Sequence, residues 1–249
     1  MKKLKEIIMA ILVIAAVSIL FYFVYQNVTT KTHRELAKRI AQLSPKGGPP
    51  ETIDGLRKAI ALYEDQIERN VREGAQTGVY WKILAIRLAD KKMHNDALNA
   101  FERAIYFNTE DPTIYYLTGV SAASAAKSLV GFSAGEQKEK DRLFKLSENS
   151  YLRAMELDIT YTRPMYGIAI LYIFELDRPQ DAIPYLERYL KISPSDISTM
   201  FVLARAYYST ENYTDAVELY DKIISRTKDK KIKEEAQNNK DIVQGLIYE

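Results

Sequence analysis

Apolar residues are patterned in two ways along the 249-residue chain. Residues Ile7 to Tyr25 read IIMAILVIAAVSILFYFVY, an apolar run with one serine and no charge. As a helix rising about 1.5 Å per residue, this run spans roughly 28 Å, near the hydrocarbon thickness of a bilayer. Lys2, Lys3 and Lys5 precede it, and Tyr22, Phe23 and Tyr25 close it where aromatic rings favour the interface. No small-residue cleavage site follows, so the pattern predicts an uncleaved transmembrane anchor. Lys31, Arg34, Lys38 and Arg39 nearly balance the charge on the far side. A short tail with three lysines is hard to translocate, which predicts a single-pass chain with its N-terminus in the cytoplasm. The remainder would then face away from the cytoplasm, into the periplasm of a bacterium.

Beyond the anchor the pattern changes. No stretch alternates with period two, and apolar residues recur at spacings of three and four, which predicts helices. SPKGGPPE, Ser44 to Glu51, breaks any helix and marks a linker. The helical region is internally repetitive. In Gly78 to Asp111, Trp81, Leu84, Ala85 and Leu88 occupy a first helix, KKMHN a turn, and Ala97, Phe101 and Ala104 a second helix. The next element opens at Pro112, a period of 34 residues. Residues 197–230 repeat the pattern with Leu203, Ala204, Tyr207, Ala216, Tyr220 and Ile223. Residues 162–196 repeat it with Ile168, Ala169, Tyr172, Ala182 and Leu186, with one extra residue in the turn and Tyr189 in the last small slot. Residues 112–161 start with Tyr115 and Gly119 and end with Tyr151 and Ala154, separated by a surplus at about 127–141. Small residues at fixed places let antiparallel helices approach closely, and a large ring beside each fills the flanking hollow.

These slots resemble the tetratricopeptide repeat (TPR), a helical hairpin that stacks into a solenoid. The resemblance implies an all-α, TPR-type helical-hairpin solenoid of about four repeats plus flanking helices, carried on an N-terminal transmembrane helix. The expected organisation is a tail and anchor over 1–29, a juxtamembrane segment and Pro/Gly linker over 30–52, and a degenerate half-repeat or capping helix over 53–77. Repeats follow over 78–230 as 78–111, 112–161, 162–196 and 197–230, with a C-terminal capping helix over 231–249.

Composition narrows the chemistry. The net charge of +2 gives no argument for nucleic acid. The absence of cysteine removes disulfides, thiol catalysis and Cys-ligated metal sites. The two histidines, His33 and His94, lack ligand partners at helical spacing, so no metal and no cofactor is expected. Gly131–Gly135 matches G-x-S-x-G, but no histidine follows His94 to act as base and no strand precedes it. Ser124–Lys127 matches S-x-x-K without the sheet or K-T-G element that its chemistry needs. No catalytic residues are expected: both motifs read as small-residue helix or loop, and EQKEKDR, Glu136 to Arg142, as a solvated part of the surplus. Asn27 and Asn212 stand in chance-level glycosylation sequons.

The resemblance implies a concave face lined by first helices, binding another protein. Projected onto this chain, the groove residues are Lys82, Tyr116, Arg163, Tyr166, Phe174, Phe201, Arg205 and Tyr208, with Ile86, Val120 and Ile170 beside them. Rings beside arginine are typical of binding hot spots. The lining holds no acid, which predicts a peptide or helix with apolar anchors and acidic character. Lys82 and Arg163 stand in slots of the family's carboxylate clamp, whereas its asparagine slots hold Ile86 and Leu117. The implied function is a non-enzymatic, membrane-anchored scaffold or adaptor. A chaperone-like factor at a protein-translocation site and an organellar import receptor are the alternatives. No small-molecule substrate is expected.

Overall fold

A computed structural model describes residues 38, 52–131 and 133–247. Among them there are nine α-helices and no strand: α1 (Ile53–Asp90), α2 (His94–Phe107), α3 (Pro112–Ser128), α4 (Ala134–Leu157), α5 (Thr162–Phe174), α6 (Pro179–Ile192), α7 (Ile197–Ser209), α8 (Tyr213–Arg226) and α9 (Lys230–Ile247). None of these helices is long and apolar enough to cross a membrane. The anchor expected over Ile7–Tyr25 and the linker over Ser44–Glu51 lie outside the described residues.

The chain divides into two compact units, Met1–Arg72 and Glu73–Glu249. In the first, α1 opens where the Thr52 hydroxyl accepts a hydrogen bond from the Gly55 amide at 3.0 Å. Asp54–Lys58, Asp65–Arg69 and Glu68–Arg72 pair along the helix at i,i+4 spacing.

In the second unit, consecutive helices pair as hairpins, and several starts have a local cause. Asp111 caps α3 by accepting from the Thr113 amide at 2.9 Å, with Pro112 in the first turn. Ser133 caps α4 through the Glu136 amide, and Asp196 caps α7 through the Thr199 amide at 2.7 Å. Three hairpin turns share one device. Lys92, Asp177 and Glu211 adopt left-handed backbone with φ of 63°, 52° and 62°, each five residues before the buried alanine of the next helix (Ala97, Ala182, Ala216). A return bond closes each turn: Met93 N–H to the Leu88 carbonyl at 3.0 Å, Asn212 to Tyr207 at 2.8 Å, and Arg178 to Tyr172 at 2.8 Å. The first two span five residues, the Schellman closure. The third spans six, which accommodates the extra residue of that turn.

Two apolar cores run through this unit. The smaller gathers Ala85, Ala97, Ala100, Phe101, Ala104 and Ile114, with Trp81, Ile86, Leu88 and Leu117 packed on it. The larger runs from Ala125 and Ala126 through Tyr151, Met165, Ala169, Leu186, Leu203 and Ala216 to Ala236 and Val243. The small slots are closed tightly: Ala85, Ala97, Ala104, Ala154, Ala169, Ala182, Ala204 and Ala216 have no exposed surface.

One local expectation meets a different structure. No break separates the half-repeat or capping helix expected over 53–77 from a repeat opening at Gly78, because α1 is continuous from Ile53 to Asp90. Gly78 is instead a point of close approach: a methyl group there would stand 2.7 Å from Cβ of Phe107. Most of the surplus at 127–141 is helical. The helix α3 ends at Ser128 and α4 begins at Ala134, Gly131 has φ 78°, and EQKEKDR forms the opening turns of α4.

Candidate partner-binding groove

The eight residues projected onto the concave face separate into distinct settings. Lys82 is not free. Its ammonium donates to Asp111 Oδ2 at 2.6 Å, tying α1 to the residue that caps α3. Burial pushes the Asp111 carboxyl up, but Lys82 and the Thr113 amide outweigh it and hold it below its ordinary value. Leu117 and Ile86 are packed on the smaller core. The clamp reading therefore loses its lysine as well as its asparagines.

Tyr116 stacks within a tyrosine cluster, its ring centroid 6.1 Å from Tyr151 and 5.6 Å from Tyr161. Arg163 is exposed beside this cluster, where burial raises the Tyr161 phenol and the Arg163 guanidinium offsets part of the rise. Tyr166 is half-buried, 6.2 Å from the Tyr189 ring, and Tyr189 Oη donates to Asp196 Oδ2 at 3.0 Å.

The other four come together. Phe174, Phe201, Arg205 and Tyr208 line one cavity of about 440 Å³, with Val202, Tyr220, Glu235, Asn239, Ile242 and Val243. Alanines behind them decide how close these elements lie: Ala204 and Ala206 are buried on α7, and Ala216 on α8. The Arg205 guanidinium lies 5.4 Å from the Phe174 ring centroid, a cation–π arrangement that holds the aromatic face at the mouth. Phe174 is 51 % exposed and Tyr208 40 %, so both offer apolar surface to a ligand. Phe201 sits 6.1 Å from Tyr220, and Tyr208 the same distance from Tyr213.

An acid also lines this cavity, contrary to the basic lining expected from the first helices. Burial raises the Tyr220 phenol, Arg205 opposes that rise, and Glu235 adds to it, which puts both charges within electrostatic reach of one hydroxyl. Val202, Tyr220 and the α9 side chains were absent from the projected set. The α9 contribution had a signal in Ile232, Ala236 and Val243, spaced four and seven residues apart on one helix face.

The serine motifs are occupied structurally. Ser124 Oγ donates to the Val120 carbonyl at 2.8 Å, and Ser133 caps a helix. Among the described residues no group of His, Asp and Glu side chains is arranged to hold a metal ion.

Comparison with known proteins agrees with the repeat geometry. The family model of the tetratricopeptide repeat matches residues 174–237. The helical hairpins are TPR-like. This chain is 20 % identical over 206 residues to a TPR repeat-containing protein of Borreliella burgdorferi, covering 82 % of this chain and 87 % of that protein. It superposes on a thermophilic TPR protein of Thermus thermophilus, TTC0263, with TM-score 0.52 and 16 % identity, over 73 % of this chain and 92 % of that one. It also superposes on MamA of Desulfovibrio magneticus RS-1 with TM-score 0.52 and 14 % identity, over 69 % and 96 % of the two chains. Solenoids of stacked helical repeats generally serve as protein-interaction scaffolds, because the stack presents extended binding surfaces.

Proposed function

We propose that this protein is a membrane-anchored scaffold or adaptor that holds a segment of a partner protein in the groove of its TPR-like helices. One observation carries the reading: Phe174, Phe201, Arg205 and Tyr208, all projected from repeat slots, converge on a single cavity of about 440 Å³. A volume of that size takes one or two large side chains. The occupant has an apolar or aromatic anchor seated against Phe201 and Tyr220, with polar groups at the mouth facing Arg205, Glu235 and Asn239. Because Arg205 and Glu235 oppose each other in sign, a purely acidic segment meets repulsion as well as attraction. A segment of mixed polarity fits better.

The apolar run Ile7–Tyr25 is the basis for the anchor, and Lys2, Lys3 and Lys5 for a cytoplasmic N-terminus with the helices on the other side. The function is binding, with no catalysis. The test is quantitative mass spectrometry of proteins retained by the full-length chain from gently solubilised membranes. A Phe174→Ala/Arg205→Ala/Tyr208→Ala variant is run beside it. These side chains are exposed, so the variant keeps its fold by circular dichroism. One or two stoichiometric partners should disappear with the variant, and unchanged retention would move the site elsewhere. Extraction of the chain from membranes by alkaline carbonate would refute the anchor, and protease digestion in intact spheroplasts checks the orientation.

A further inference from the structure

The unit Met1–Arg72 carries a second surface, independent of the groove. Along α1, Ile53, Leu56, Ile60, Tyr63 and Ile67 follow one another at spacings of three, four, three and four residues. This is the alternation of the two seam positions of a coiled coil. All five are exposed, Ile53 at 72 % and Ile67 at 61 %. A helix with one apolar row open to water gains nothing from that row, and most helical stability comes from packing such a face.

Charge on this helix says what covers the row. Over residues 53–72 four acids (Asp54, Glu64, Asp65, Glu68) cancel four bases (Arg57, Lys58, Arg69, Arg72), so this stretch has no attraction for an anionic lipid surface. Six of these charges pair with each other away from the seam, as Asp54–Lys58, Asp65–Arg69 and Glu68–Arg72. Arg57 and Glu64 do not belong to those pairs and form no ion pair among the described residues. They are opposite in sign and one heptad apart, so both flank the seam at the same position of the repeat. That arrangement is self-complementary in one orientation. When two copies align antiparallel, Arg57 of each lies against Glu64 of the other, twice by symmetry. The same register stacks Ile60 on Tyr63 and Leu56 on Ile67 across the axis. In a parallel pair these charges would instead face Thr52 and Ala59, which offer no counter-charge.

We propose that this seam is a homodimer interface, formed by two copies of α1 packed antiparallel over Ile53–Asn70 and selected by the two Arg57–Glu64 pairs. The chain has no cysteine, so introduced thiols report without background. Full-length Ile60→Cys and Tyr63→Cys proteins are prepared separately, mixed and oxidised. The expected product is a mixed dimer in which a disulfide joins the thiol of one variant to that of the other, abundant only when both proteins are present. Dimers formed by Ile60→Cys alone would mean parallel helices and would overturn the proposal. A chain that stays uncrosslinked at the mass of one 28.6-kDa copy would mean that another segment covers the seam, and would overturn it equally. Light scattering supplies the charge test. Arg57→Glu should reduce the protein mass by about half, and so should Glu64→Arg. The double exchange Arg57→Glu/Glu64→Arg should restore the dimer. Failure of the exchange to restore it, with helicity retained, would exclude the pairing.

Discussion

Tyr151 and Tyr220 occupy the same slot of their repeats, the large position of the second helix, yet their rings have different fates. Both are nearly buried, at 4 % and 5 % exposure. Tyr151 on α4 is wedged between two glycines: a methyl group on Gly119 would stand 2.7 Å from its ring, and one on Gly167 would stand 2.8 Å away. The helix that follows, α5, closes over it. Tyr220 on α8 is followed by α9, whose Glu235 and Asn239 leave a cavity of about 440 Å³ beside the ring. One repeat position is therefore core or cavity wall according to the helix stacked next. The stack closes where that helix offers small residues, and leaves a cavity where a polar helix replaces it.

The largest expected effect separates the two rings directly. Tyr151→Ala empties a closed space between three helices and should lose about 3–5 kcal/mol in urea unfolding, as aromatic truncations in tight cores do. Tyr220→Ala should lose clearly less, because one side of its ring already borders open volume. Equal losses would mean that the cavity does not distinguish the sites. Next come the glycines. Gly119→Ala and Gly167→Ala each force the Tyr151 ring aside, at about 1–3 kcal/mol. In a Tyr151→Leu background the penalty should shrink, and a double-mutant cycle measures the coupling.

Glu148 sharpens the comparison from the polar side of the same core. Its buried carboxylate accepts from Tyr172 Oη at 2.9 Å, Lys145 Nζ at 2.7 Å and Arg178 Nη1 at 3.3 Å, binding α4 to the α5–α6 turn. Burial pushes its pKa up, but these donors prevail and hold it below the ordinary 4.5. A depressed folded value means that the stabilisation is fully present above pH 4.5 and is lost as pH falls through the lower, folded-state value. Glu148→Gln should cost about 1.5–3 kcal/mol at neutral pH, the range for hydrogen bonds to a charged group. It should also flatten the acid limb of a stability-against-pH curve. Glu235→Gln, at the exposed wall of the cavity, should cost about 0.5 kcal/mol or less, as surface substitutions do.

The hairpins were legible in the sequence because close helix crossings demand small side chains, and those alanines stand where the structure buries them. Ala97, Ala169, Ala204 and Ala216 are all fully covered. Glycine was less legible, since it serves both as a helix break and as a point of close approach. Gly78 reads as a boundary but lies inside α1 against Phe107. The Lys82–Asp111 pair spans 29 residues and a turn, so no local spacing signals it, and Lys82 looked free. Four residues of the cavity lining, Phe174, Phe201, Arg205 and Tyr208, were readable because they sit in repeat slots. The α9 wall was not, because Lys, Glu, Gln and Asn dilute the sparse apolar row of Ile232, Ala236 and Val243.

The smallest expected change in stability tests the difference between the rings most directly. If the cavity persists because α9 places a polar side chain where a repeat helix would place an apolar one, Asn239→Leu should fill part of it. Asn239 is half-buried at the wall, so the substitution exchanges amide hydration for contact with neighbouring apolar groups. The two effects nearly cancel, and stability should move by no more than about 0.5 kcal/mol, as for most substitutions away from a packed core. Retention of the partner should fall nonetheless, because the added branch takes the space its apolar anchor needs. Undiminished retention by Asn239→Leu would place the partner's anchor at the Tyr116–Tyr161–Arg163 cluster rather than beside Tyr220.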